Sequence, residues 1–131
     1  MAHTIDSNSL PYAPEKYERK DVISFDHFLS VDLRTGTVIN VEDYPQMRKP
    51  SYKITVDFGP VVGILQSSAQ ITNYSIQELI NRKVVGAINL GEKTLPGGFM
   101  SQFLVLGALE PDGTVRLLGV DPSMPNGSTI L

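Results

Sequence analysis

The sequence contains no cysteine, which excludes disulfides, thiolate metal sites and cysteine nucleophiles. It has only two histidines, His3 and His27, the first in the N-terminal segment, so a histidine metal cluster is not available. No stretch approaches the roughly 20 consecutive apolar residues that a membrane-spanning helix needs. The N-terminus carries no apolar run of the secretory kind, so the chain is expected in the cytoplasm. Basic charge is scarce too. Eleven Lys and Arg stand against 14 Asp and Glu, giving a net charge of −3. Domains that hold nucleic acid by neutralising phosphates are usually basic, with a pI above about 9. Any RNA binding here would need a local basic patch on an acidic body. What remains is an ordinary apolar fraction, 41% of 131 residues, enough for one domain with a real core.

Read in order, residues 1–23 form an N-terminal extension. Pro11, Pro14 and the alternating charges Glu15, Lys16, Glu18, Arg19 and Lys20 leave it little to bury. It is expected to be partly disordered, at least over residues 1–10, or to contact a partner through Tyr12 and Tyr17. Residues 24–131 make up the domain. Ser24 caps one helical turn bearing Phe25, Phe28 and Leu29. Residues 31–41 alternate, with Val31, Leu33, Ile39 and Val41 on one face, and Gly36 marks where a long strand coils around a barrel. Residues 43–51 are a loop with two prolines and the densest basic cluster, Arg48 and Lys49, followed by Lys53. A second strand, Tyr52 to Phe58, turns at Gly59-Pro60 into a third, Val61 to Leu65. Small polar residues follow, then a capping box at Ser75 and Glu78 that opens a short helix. Val84 to Leu90 and Phe103 to Leu109 are the fourth and fifth strands, and Val115 to Val120 is a sixth extended piece.

The connection between strands four and five is the most informative stretch. It holds Gly91, Gly97, Gly98 and Pro96, carries one lysine, Lys93, and then presents Phe99 and Met100. Two readings stand open. Phe99 and Met100 either fold back into the core or form a sticky, polar-edged surface for a ligand.

Three strands, a short helix and two strands, with a β appendage, are the order of an OB-fold. The expected class is therefore all-β with a small helix: a five-stranded Greek-key barrel with a capping helix and a C-terminal β appendage. That fold binds ligands on the face of strands two and three and on the loops joining strands one–two and four–five, here residues 43–51 and 91–101.

The run Phe28-Leu29-Ser30-Val31-Asp32-Leu33-Arg34-Thr35-Gly36-Thr37-Val38, with Ala87-Ile88-Asn89-Leu90 and Pro125-Asn126-Gly127, resembles the tRNA-binding domain family. That family includes domains appended to methionyl- and phenylalanyl-tRNA synthetases, free tRNA-binding proteins and the CsaA secretion chaperones. Residues 44–53, Gln66-Ser67-Ser68-Ala69-Gln70-Ile71 and Gly98-Phe99-Met100-Ser101 resemble the CsaA branch. Two departures bear on ligand choice. Ser101 matches the serine of the Ser-x-Gly-Met motif typical of tRNA-binding members, but Phe103 and Leu104 replace its glycine and methionine. From residue 24 on, eight basic residues face ten acidic ones.

The resemblance implies a homodimeric chaperone for unfolded or export-destined polypeptides, with tRNA as the alternative ligand of the same groove. Phe99 and Met100 are expected as apolar contacts, methionine being adaptable to varied side chains. Arg48, Lys49, Lys53 and Lys93 form the expected basic rim. Ser67, Ser68, Gln70, Ser101 and Gln102 are expected hydrogen-bonding partners, or else satisfy local backbone groups at strand ends. The dimer contact is expected around the fourth strand, the C-terminal appendage or the N-terminal extension. No nucleophile–base pair, metal spacing or phosphate-binding Gly-Lys-Ser/Thr motif occurs. Asp32, Glu42 and Asp57 read as solvated charges, so neither an enzyme nor a cofactor is expected.

Overall fold

In the computed structural model, which describes residues 10–131, the alternating stretch after the first helical turn becomes one long strand, β1 (Leu33–Asp43). Its first half pairs antiparallel with β4 (Lys83–Ala87) and its second half with β2 (Tyr52–Asp57). One strand therefore serves both halves of a barrel. The strict alternation expected over 31–41 does not survive the middle of β1. The register with β2 shifts between Val38 and Asn40, leaving Ile39 as the extra residue of a β-bulge, which bends a strand and changes which side chains face inward. Val38 is buried at 1% exposure, whereas Ile39, expected inside, is 42% exposed. Val31 also lies outside the core, before β1 begins.

β2 alternates as expected, with Tyr52, Ile54, Val56 and Phe58 inside. The third strand is displaced from its expected place. Gly59–Val62 forms a helical turn, α2, with proline in its first turn, and β3 runs Ile64–Ala69. Gln66, Ser67 and Ser68 thus sit within a strand, opposite Thr55, Ile54 and Lys53. The short helix over Ile76–Leu79 has the full capping box, Ser75 to Glu78 and back. Hydrogen bonds from Ser75 hold the Glu78 carboxyl below the ordinary carboxylate value. The helix buries Leu79 in the core. The expected fifth strand breaks into two short pieces, β7 (Leu104–Val105) and β8 (Gly107–Leu109), since only the first continues the barrel beside β4. β8 pairs instead with β9 (Val115–Leu117).

The sheet order β3-β2-β1-β4-β7 makes this a nearly closed five-stranded antiparallel barrel, the OB-fold the sequence suggested. Residues 125–130 are strapped along β1. The Thr35 hydroxyl donates to Pro125 O at 2.7 Å, Gly127 N donates to Thr35 O at 2.8 Å, and Ile130 N to Leu33 O at 2.9 Å. At the N-terminus, residues 1–9, on which most of the expected disorder falls, lie outside the described residues. Tyr12 is buried against the β8–β9 turn and its amide donates to Pro111 O at 2.9 Å. No helix among the described residues is long and apolar enough to cross a membrane.

Two glycines make room for the centre of the core. Phe58 is wholly buried and meets Phe103 edge-on, ring centroids 5.0 Å apart. A Cβ on Gly36 would stand 2.5 Å from Val56 Cγ1 and 2.9 Å from Phe58 Cδ1; one on Gly86 would stand 2.7 Å from Phe58 Cζ. Protein interiors have no slack for such approaches. Gly86→Ala is therefore expected to destabilise the fold by about 1–3 kcal/mol in urea unfolding, by overpacking. Gly119→Ala, with nothing within 4 Å of its added methyl, should shift stability by less than about 0.5 kcal/mol. Equal effects of the two would contradict this packing.

Candidate ligand-binding surface

The connection between β4 and β7 is not an irregular loop. It folds into a small hairpin, β5 (Lys93–Leu95) and β6 (Phe99–Ser101), joined by a 3₁₀ turn at Pro96–Gly98 in which Gly97 and Gly98 both take positive φ. Only glycine enters that region without penalty. Phe99 and Met100 are half-buried and neither joins the core cluster, so of the two readings left open, the core one does not hold.

This hairpin leans on the loop between β1 and β2. The Phe99 ring meets Tyr44 at 5.4 Å between centroids and 66° between planes, and the Tyr44 hydroxyl donates to Pro96 O. Lys53, outward on β2, places its Nζ 4.8 Å from the Tyr44 centroid and 5.1 Å from that of Phe99. Such placement satisfies part of the ammonium charge with ring quadrupoles. Glu42 stands opposite Lys53 on β1. Thr94 contacts Met100 Sδ at 3.7 Å. The two expected binding loops are thus clamped together by an aromatic pair with a lysine over it.

Ser67, Ser101 and Gln102 lie together in the seam that closes the barrel. The Ser67 hydroxyl, on a residue only 2% exposed, donates to Phe103 O at 2.7 Å and lies 3.1 Å from Ser101 Oγ. Gln102 N donates to Gln66 O at 2.8 Å, Gln66 N returns to Gln102 Oε1 at 3.1 Å, and Gln66 Nε2 reaches Met100 O at 3.1 Å. Ser68, Gln70 and Lys49 line a different feature, an open cavity of about 550 Å³ bounded by the β1–β2 loop, the end of β3 and the β7–β9 segment. Leu10 and Tyr12 add to its wall, and Asp112 stands at its edge. The Thr114 amide, 2.9 Å from Asp112 Oδ1, holds that carboxyl below its ordinary value, so it is charged at neutral pH. Arg48 and Lys93 are exposed on the two loops. The predicted residues therefore divide into a rim (Arg48, Lys53, Lys93, Phe99, Met100), a seam (Ser67, Ser101, Gln102) and a cavity (Lys49, Ser68, Gln70).

Tyr44, Gln66 and Asp112 were not among the predicted site residues. Gln66 was accessible from sequence had β3 been started three residues later, since hairpin pairing with Thr55 then turns it outward. Tyr44 lay in the expected binding loop and in the CsaA-like stretch, but no local pattern set it apart from its neighbours there. Among the described residues, no three His, Cys, Asp or Glu side chains come together as a metal site.

Comparison with known proteins is consistent along most of the chain. Residues 33–129 match the family model described as "Putative tRNA binding domain". A methionine--tRNA ligase of Methanococcus maripaludis is 38% identical over 113 residues, covering 86% of this chain and 16% of the ligase. The chain thus spans a small part of the length of that relative. The solved structure of the CsaA chaperone protein from Picrophilus torridus superposes with a TM-score of 0.78 at 40% identity, covering 84% of this chain and 100% of the other. The chaperone CsaA of Bacillus anthracis gives 0.78 at 39% identity, covering 85% and 100%.

If the Tyr44 hydroxyl fastens the hairpin to the β1–β2 loop, Tyr44→Phe should cost about 1 kcal/mol of stability, one hydrogen bond's worth. Hydrogen exchange should quicken selectively at residues 93–101, with the β2 and β3 amides unchanged. A uniform acceleration across the barrel would contradict a local clamp.

Proposed function

This chain belongs to the tRNA-binding-domain family, and from that premise we propose that it is a non-enzymatic, CsaA-like chaperone that binds extended segments of unfolded or export-destined polypeptides. The observation that carries this reading is the character of the clamped rim. Its centre is an aromatic pair beside a methionine, half-buried and outside the core, and its nearest cation, Lys53, is already held over both rings. Around it the outward face of β2 and β3 offers Thr55, Gln66 and Ser68, neutral hydrogen-bonding groups rather than a row of cations. A non-native polypeptide brings apolar side chains and neutral amides, and such a surface accepts both. Phe99 and Met100 supply apolar contact, while Arg48, Lys49 and Lys93 tolerate acidic positions at the edge. Ser68 and Gln70 hydrogen-bond the ligand; Ser67, Ser101 and Gln102 hold the surface in shape from behind. Likeness to CsaA chaperones over the whole length of those chains supports the same choice.

Structure-specific tRNA binding is the second reading. It is favoured by the family itself, by the methionine--tRNA ligase relatives and by the exposure of Arg48, Lys49 and Lys93 on neighbouring loops.

The protein works as a homodimer in this proposal. Ser24 caps a helical turn, α1 (Phe25–Leu29), none of whose residues is buried; Phe25 is 68% exposed. Leu29 and Val31 share a shallow depression with Ile130 and Leu131, and Leu90 follows Asn89, whose side chain bonds Ser30 O at 2.8 Å. Contiguous apolar surface of this kind marks an interaction site. Phe25→Asp is expected to shift the sedimenting species from dimer to monomer at micromolar concentration; a wild-type monomer there would contradict the dimer.

The polypeptide reading is tested with a fluorescent, permanently unfolded polypeptide. Met100→Asp is expected to weaken its binding at least about tenfold, a loss of roughly 1.4 kcal/mol, while leaving the urea midpoint unchanged. Unaltered binding, or a variant that unfolds, would remove Met100 from the site.

A further inference from the structure

Among the described residues, the barrel seam is fastened at one end only. Gln66 turns both its N–H and its C=O toward the 101–105 segment, where Gln102 meets them. Strand geometry alternates, so Ser67 and Ala69 bond across to β2, while Ser68, two residues beyond Gln66, again points its backbone groups at the seam. There the fastening stops. Among the described residues no backbone group pairs with Ser68 or Gln70 across the seam; the polar neighbour of Ser68 O is Ser67 Oγ at 3.1 Å, whose proton goes to the closer Phe103 O. In place of a partner strand lies the 550 Å³ cavity, lined by Ser68 and Gln70 on one side and by Leu104, Val105, Leu109 and Val115 on the other. Leu104 is 52% exposed.

An unpaired strand edge beside apolar pockets is the arrangement used by proteins that bind peptides by strand addition. We propose that this chain captures polypeptide by that route, an extended client segment pairing with the β3 edge at Ser68–Gln70 and sending alternate apolar side chains into the cavity. Main-chain hydrogen bonds then supply affinity for any sequence, and the cavity asks only that alternate residues be apolar. Charge at the cavity agrees with a neutral backbone as occupant. Among the described residues that line it, Lys49 is the one cation and Asp112 the one anion, so a polyphosphate gains no net attraction from them. The N-terminal segment forms part of the wall through Leu10 and Tyr12, so a shortened chain would present a shallower cavity.

This rests on the polypeptide-binding reading, and the test separates the two. The probe is a fluorescein-labelled ten-residue peptide with alternating leucine and serine, bound to the full chain. Two further peptides carry N-methyl groups on alternate amides, one in each phase. Strand addition predicts that one phase loses affinity about tenfold or more, since those amides face β3, and that the other binds within about threefold of the parent. Ser68→Pro should weaken the parent peptide similarly while leaving the circular dichroism spectrum unchanged, because the lost N–H faces the seam and not β2. If both methylated phases bind like the parent, or lose equally, strand addition is overturned while polypeptide binding stands. If the parent does not bind, both readings fall. Ser68→Pro weakening bulk tRNA but not the peptide would assign the edge to nucleic acid and overturn the proposal; should Ser68→Pro unfold, the methylation pair decides alone.

Discussion

Closure of the barrel depends on two residues of β3. Gln66 exchanges backbone and side-chain hydrogen bonds with Gln102 and Met100, and the buried Ser67 hydroxyl reaches Phe103 O. Buried polar groups must find partners or cost the fold heavily, so this seam has little freedom to slip. Fixing it draws Phe103 against Phe58 inside and sets Phe99 and Met100 on the outer rim. The same bonds that seal one end of the seam define where the other end is left open.

From that seam the site follows by geometry. The β5–β6 hairpin is anchored to β3 through Gln66 and to the β1–β2 loop through Tyr44. It therefore stands over the outward face of β2 and β3 rather than extending into solvent. An acidic body with its central lysine engaged by aromatic rings favours ligands recognised by contact and hydrogen bonding over ligands recognised by charge. On the proposed polypeptide reading, a fold common to nucleic-acid binders serves a different ligand by a few changes at the rim.

Much of this was legible in the sequence, and the failures have physical causes. The order of elements and the capping box at Ser75 and Glu78 were plain, because local chemistry decides them. The bulge at Ile39 was not, because an alternating pattern carries no mark of one extra residue; tertiary curvature puts it there. Gly59-Pro60 reads as a hairpin turn into a third strand at Val61 to Leu65, yet it starts a helical turn and pushes β3 onward. That shift concealed the site's logic. With Ser67 and Ser68 read only as small polar residues beyond the third strand, nothing indicated that one hydroxyl faces the seam and the next residue faces the cavity.

We propose that the rim and cavity serve polypeptide rather than phosphate. The most direct test is fluorescence anisotropy of the full chain with labelled bulk tRNA, from about 50 to 200 mM salt. Counterion release makes phosphate-driven binding fall steeply over that range. No saturable tRNA binding is expected at micromolar protein even at the lowest salt. Micromolar binding with a steep salt slope, reduced when Lys49 and Lys93 are neutralised, would contradict it and make the surface one for RNA.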